Sequence, residues 1–267
     1  MARDRGLGLF FVLAFALPWA VWGTTIAQQR GIISWHVPSS LAFWLGLTIA
    51  TFGAAALTGG WPALRDVLLR MVRARVAWRW YAVALLLTPV IAMVSALVWR
   101  SVGAPTHVGD TVGAAGLPGL LALNVWLFLL TEEAAWRGFA LPRLQARSTP
   151  LTAALLLGLV WGVWHLPLFL TRGTFQAGLP FAGFMASIVA TSVMVSWLYN
   201  HARGSVLLAA LFHAATDVTI AYSGVMNSGG ALFWLFVAAQ CLVAAVLGAG
   251  MLERVPRSGP LVYEPAR

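Results

Sequence analysis

LALNVWLFLLTEEAAWRGFAL, residues 121–141, decides how this chain is read. A nearly unbroken apolar run meets Thr131, then two adjacent carboxylates, Glu132 and Glu133, then Arg137, before apolar residues resume. A charged side chain inside a membrane segment costs at least ~2.5–3.5 kcal/mol, so two acids in a row mark a site. Outward from this stretch, two histidines sit in apolar runs of their own: His165 in WGVWHLPLFL (161–170) and His213 in LLAALFHAATD (207–217). Carboxylates and imidazoles on three separate apolar segments point to an intramembrane hydrolase.

The composition supports a membrane solvent. Of 267 residues 60% are hydrophobic and only 9% charged, and the mean hydropathy is +0.84; a soluble domain carries about 25% charged residues. Apolar runs near 7–27, 38–58, 80–99, 118–142, 151–170, 179–199, 204–222 and 230–252 each approach the ~20 residues a spanning helix needs. The expected fold is therefore all-α, a polytopic bundle of eight transmembrane helices forming one membrane domain over 1–267. Asn200, His213 and Asp217 mark faces of the later helices that point into the bundle. The first run, longer than a signal-peptide core, reads as a retained helix.

All 17 basic residues are arginines, and the formal charge is +9. They fall between the apolar runs, so they report topology and give no basic face for nucleic acid. Alternating the connections puts Arg3, Arg5, Arg65, Arg70, Arg73, Arg75, Arg79, Arg137, Arg143, Arg147, Arg203, Arg254, Arg257 and Arg267 on one side. Arg30, Arg100 and Arg172 fall on the other. That asymmetry predicts both termini in the cytoplasm. The stretch RDVLLRMVRARVAWRW (65–80) reads as an interfacial amphipathic helix or a cationic anchoring loop. The single cysteine, Cys241, excludes disulfide frameworks and Cys-based zinc sites and reads as a small buried hydrophobe.

Helical spacing sorts the polar residues. Glu133 and Arg137 are four apart and can pair, which makes a membrane arginine tolerable; Glu132, turned ~100° away, is left for another partner. Trp161 lies four residues before His165 and can pack on its ring, with Pro167 two residues beyond. His213 and Asp217 are four apart, so the carboxylate can orient the imidazole.

The strings EEAAWRGFALPRLQ, WGVWH and HAATD resemble, in order, the E-E-x-x-x-R, F-x-x-x-H and H-x-x-x-N/D motifs of the CAAX-protease and bacteriocin-processing (CPBP, or abortive-infection) family of membrane proteases. The resemblance covers roughly 118–220, a catalytic core of helices 4 to 7. Trp161 stands where Phe is usual, and Asp217 where the CAAX prenyl endopeptidases carry Asn. The resemblance implies an endopeptidase of a bacterial plasma membrane acting on a peptide or membrane-anchored protein. In it Glu132 and His165 would activate a water, His213 and Asp217 would stabilise the oxyanion, and Glu133, Arg137 and Trp161 would support them. Glu132, His165 and His213 could instead supply a carboxylate and two imidazoles to a zinc, as the family's frequent description as metalloproteases implies. The pairing of Glu133 with Arg137, and the lack of an H-E-x-x-H helix, favour a metal-independent glutamate mechanism. A non-catalytic immunity or scaffold protein and a proton-coupled transporter are the alternatives from other classes.

Overall fold

A computed structural model describes residues 2–103, 113–226 and 229–253, without the side chains of residues 2–5. Eight helices among them are long and apolar enough to cross a membrane: α1 Gly6–Gln29, α2 Ala42–Met71, α3 Trp78–Ser101, α4 Ala114–Gln145, α5 Pro150–Phe169, α6 Phe181–His201, α7 Val206–Ser223 and α8 Ala231–Ala249. This is an all-α, multi-pass membrane bundle. Its outer surface is apolar, with Leu57, Val12, Leu123, Trp126, Leu242 and Val246 all exposed, as hydrocarbon contact requires.

Among the described residues two large apolar cores hold the bundle, and a small third joins Phe128 of α4 to Ala210 and Ala214 of α7. One gathers Phe10 and Trp22 of α1, Leu47 of α2, Trp136 and Phe139 of α4, and Trp161 and Trp164 of α5. The other gathers Met194 and Leu198 of α6, Phe212 of α7, and Phe233 and Phe236 of α8. Without a hydrophobic force between helices in lipid, close packing and short polar bonds stitch neighbours together. Ser192 Oγ donates to Ala154 O (2.8 Å), Ser187 Oγ to Gln240 Oε1 (2.6 Å), and Thr88 and Thr216 share a 2.8 Å bond.

The connections sort onto two faces. Gln29 bonds the backbone of Arg172, joining the α1–α2 and α5–α6 connections. On the other face Ser205 Oγ donates to Arg73 O, Gln145 Nε2 to Asn200 Oδ1, and Leu151 N to Met251 O. Arg3, Arg5, Arg254, Arg257 and Arg267 lie outside the described side chains. The first helix is integral to the packing, since Trp164 Nε1 donates to Ala14 O and Trp19 Nε1 to Trp164 O.

Three expectations are refined. The stretch 65–80, open between an interfacial helix and a cationic loop, is helical to Met71 and irregular over 72–77. Its carbonyls there are taken from outside, Arg73 O by Ser205 and Ala74 O by Tyr81. That short helix is set off from the rest of α2 by Gly60, whose φ of 59° and ψ of −156° no helix residue adopts. Second, Cys241 is exposed on α8, because the helix buries the faces of Val237, Gln240 and Ala244, and the next residue is rotated ~100° from Gln240. Third, α4 is not a regular helix throughout, and its irregularity builds the site.

Candidate active site

Regular α-helix in α4 runs over Leu117–Leu130, then stops at Thr131, whose φ of −116° and ψ of −91° lie outside the helical region. Thr131 Oγ1 turns back onto Leu127 O (2.7 Å), the local bonding by which threonine competes with a helix. Beyond Glu133 the backbone widens into a π-helix over Ala134–Ala140. Such wide turns concentrate at functional sites because they re-aim side chains. Every residue from Thr131 to Leu141 is buried.

Glu133 is the hub of one half of the site. Its Oε1 accepts from Arg137 Nη1 (2.9 Å) and from His213 Nδ1 (2.9 Å), and Glu133 and Arg137 are fully buried. The expected pairing of Glu133 with Arg137 is present. The orientation of His213 is a correction: its Nε2 lies 3.9 Å from Asp217 Oδ1, beyond a hydrogen bond, and the Asp217 side chain is 46% exposed. Glu133, 80 residues away, is the carboxylate that fixes the ring. Phe128 stacks flat on the imidazole at 3.7 Å and 3°, so the ring is held in plane as well as at Nδ1.

Trp161 is the hub of the other half. Its Nε1 donates to Glu132 Oε2 (2.7 Å), which supplies the partner the sequence left open. Its carbonyl accepts from His165 Nδ1 (2.8 Å). Its ring carries the Arg137 guanidinium on one face (4.7 Å) and meets the His213 ring edge-on (5.1 Å, 80°). One residue, through its ring and its carbonyl, thus touches all three constellations. His165 itself ends the α5 helix proper, because Pro167, with no N–H, prevents regular continuation. Trp164 and Phe184 pack edge-on against its ring at 4.9 and 5.3 Å.

Three features were missed. The Trp161 donor was legible, since an indole N–H is the one thing Trp offers that Phe does not. Phe128 over His213, and the wall that α1 builds behind the site through Phe10, Trp136, Trp22 and Trp164, carry no local signal.

Both histidines have Nδ1 bonded to an acceptor and present Nε2, the state in which histidine ligates metals. Among the described residues, however, no three His, Cys, Asp or Glu side chains group closely enough to hold one ion. Glu132 is turned to Trp161 and Glu133 to Arg137 and His213. The set Glu132, His165 and His213, as placed here, does not fit a tetrahedral zinc site.

Residues 114–219 match the family model for type II CAAX prenyl endopeptidases, Rce1-like. Over 143 residues the chain is 29% identical to CAAX prenyl protease 2 of Methanococcus maripaludis, a match covering 49% of this chain and 52% of the relative. Both matches support a CPBP-type membrane protease. The matched segment runs from the start of α4 to within α7, so it contains every site residue named above. The match spans about half the length of the curated relative. Helices α1 and α2 lie outside the residues that the family model matches.

Proposed function

We propose that this chain is an intramembrane endopeptidase of the CPBP family that cleaves a peptide bond of a peptide or membrane-anchored protein with a water activated by Glu132 and His165. The observation that supports the reading is Trp161, whose indole N–H donates to Glu132 while its carbonyl accepts from His165 Nδ1, tying a buried carboxylate and a buried imidazole to one residue. Glu132 takes a proton from water while His165 Nε2 accepts the water's second hydrogen bond, and the resulting hydroxide adds to the scissile carbonyl. His213, held by Glu133 and carrying a second proton on Nε2, donates to the oxyanion, with Asp217 as the nearby countercharge. Collapse of the tetrahedral intermediate breaks the C–N bond, and Glu132 returns its proton to the departing amine. No matched motif offers a serine or cysteine nucleophile, which favours this direct route over an acyl-enzyme.

The relative's name suggests a prenylated C-terminal tail as one substrate class. The test is cleavage of a panel of tail peptides, prenylated and not, by purified protein in detergent, with Glu132→Gln as control. Cleavage that survives Glu132→Gln, or no cleavage of any peptide, rejects the reading. A parallel sample stripped with chelator should keep its activity; loss on stripping and recovery with zinc would make Glu132 a ligand.

The arginine-rich face is assigned to the cytoplasm of a bacterial plasma membrane, with both termini on it. In a Cys241→Ala background, cysteines at Ile32 and Ala74, both exposed, should label differently in intact cells with an impermeant thiol reagent. Ile32→Cys should react and Ala74→Cys should not; the reverse pattern inverts the topology.

A further inference from the structure

The irregular segment after α2 and the tight turn between α6 and α7 meet at a point where charge is badly unbalanced. Arg73 Nη1 donates to Arg203 O, Arg203 Nη1 donates to Arg75 O, and Ser205 Oγ donates to Arg73 O (2.6 Å). Three arginines are therefore laced together through one another's backbones. Beneath them Arg70 is buried, bonded to Asp66 (2.9 Å) and Tyr199 (2.7 Å). Asp66 is the only carboxylate between residues 42 and 109, and none occurs from 134 to 216. Arg70 engages that carboxylate, so neither segment carries an anion to face Arg73, Arg75 and Arg203.

The turn is built to keep this arrangement. Arg203 adopts φ of 58°, a left-handed conformation that costs a non-glycine residue about 1 kcal/mol or more. Gly204 follows at φ of 71°, where a Cβ would stand 3.0 Å from Arg70 Nη1. Strain and like-charge crowding are both accepted, while the half-buried Arg73 and the exposed Arg75 and Arg203 retain most of their five donors. Trp78, three residues after Arg75 at the start of α3, is 80% exposed, and Trp80 lies under Arg79 (5.1 Å). Exposed tryptophans beside arginines at a helix end mark the headgroup layer of a bilayer.

We propose that Arg73, Arg75 and Arg203 form a binding site for the phosphate of an anionic phospholipid headgroup. The charge deficit selects an anion, and the tryptophan belt places the site at lipid depth, so the occupant is a lipid and not a soluble ion.

Native mass spectrometry of the detergent-purified full chain, titrated with phosphatidylglycerol or phosphatidylcholine, tests this. Phosphatidylglycerol should be retained in preference. Each arginine removed should weaken retention roughly 5-fold, and Arg73→Gln/Arg75→Gln/Arg203→Gln on the order of 100-fold, at about 1 kcal/mol per arginine near a charged surface. Arg65→Gln/Arg147→Gln, on the same face outside the cluster, should change retention by less than Arg75→Gln alone. If the triple variant does not purify folded, Arg75→Gln alone decides. Equal retention of the two lipids, equal loss in the Arg65/Arg147 control, or displacement of the lipid by millimolar inorganic phosphate would each overturn the proposal.

Discussion

Helices α3 and α4 are neighbours in sequence and similar in composition, yet they solve opposite problems. α3 is helical from Trp78 to Ser101 even with Pro89 inside it, and it buries one narrow stripe, Ala84, Thr88, Ile91, Ala92 and Ser95. That spacing of three and four is the face of a helix leaning on one partner, with lipid elsewhere. α4 has no proline at its break, but it stops at Thr131 and reopens as a wide turn. Of Leu117–Leu130 only Phe128 is buried, whereas all of Thr131–Leu141 is. Irregular backbone at membrane depth is tolerated only where protein encloses it. α4 breaks where α1, α2, α5 and α7 close around it, and there it carries two carboxylates and an arginine. The comparison predicts that substitutions in the second half of α4 act on chemistry and charge, and those in α3 on packing alone.

The largest effect belongs to Glu132→Gln. If Glu132 takes the water's proton as proposed, its loss should lower kcat by about 10²–10⁴-fold. The isosteric amide should leave the melting temperature near that of the parent. A melt as perturbed as the activity would mean that Glu132 is structural, and the contrast with α3 would fail.

Glu133→Gln should do both kinds of damage. It strands a buried Arg137 and weakens the acceptor for His213 Nδ1; breaking such a pair typically costs ~3–5 kcal/mol. The companion change Arg137→Met should recover the melting temperature in the double variant without recovering hydrolysis, because His213 still lacks its carboxylate. Recovery of both would show that the ion pair only balances charge. Failure to recover stability would show that Arg137 acts through the Trp161 face it covers.

How much of this was legible follows from how local each cause is. The bilayer fixes the length of every span, so eight apolar runs were readable one by one. The Glu133–Arg137 pair was readable because four residues suffice to define it, and it survives in the wider turn. The Thr131 break was not, since threonine has no intrinsic power to end a helix and does so here because enclosed protein accepts the irregularity. Nor could sequence choose between Asp217 and Glu133 as the partner of His213. Helical spacing favours the near carboxylate, and only the packing of α4 against α7 brings the distant one within 2.9 Å. The second helix ran past its expected end at 58 because apolar periodicity continues beyond Gly60, where the backbone turns but the helix resumes.

Trp161→Phe isolates one bond of the site. Phenylalanine keeps the aromatic face for Arg137 and His213 and the carbonyl for His165, and it loses only the N–H given to Glu132. Hydrogen bonds to charged groups contribute ~1.5–3 kcal/mol. Expressed in the barrier, that is roughly a 10–100-fold fall in kcat, with KM and melting temperature little changed. Trp161→Ala should destabilise as well, because it removes a fully buried ring. A kcat unaffected by Trp161→Phe would show that Trp161 acts as a spacer, as Phe would.

The smallest effect should come from α3. Thr88 reaches across to Thr216 with a buried 2.8 Å hydroxyl bond, and Thr216 is the residue immediately before Asp217. Thr88→Val keeps the shape and removes that bond. Polar contacts between membrane helices average about 0.6 kcal/mol, so the melting temperature should fall slightly and kcat should hold within about twofold. The result is informative because of where Thr216 sits. If Thr88→Val slowed hydrolysis as much as Trp161→Phe, α3 would be setting the position of Asp217 through α7. The division between a helix that packs and a helix that works would then have to be redrawn to include α3 in the catalytic apparatus.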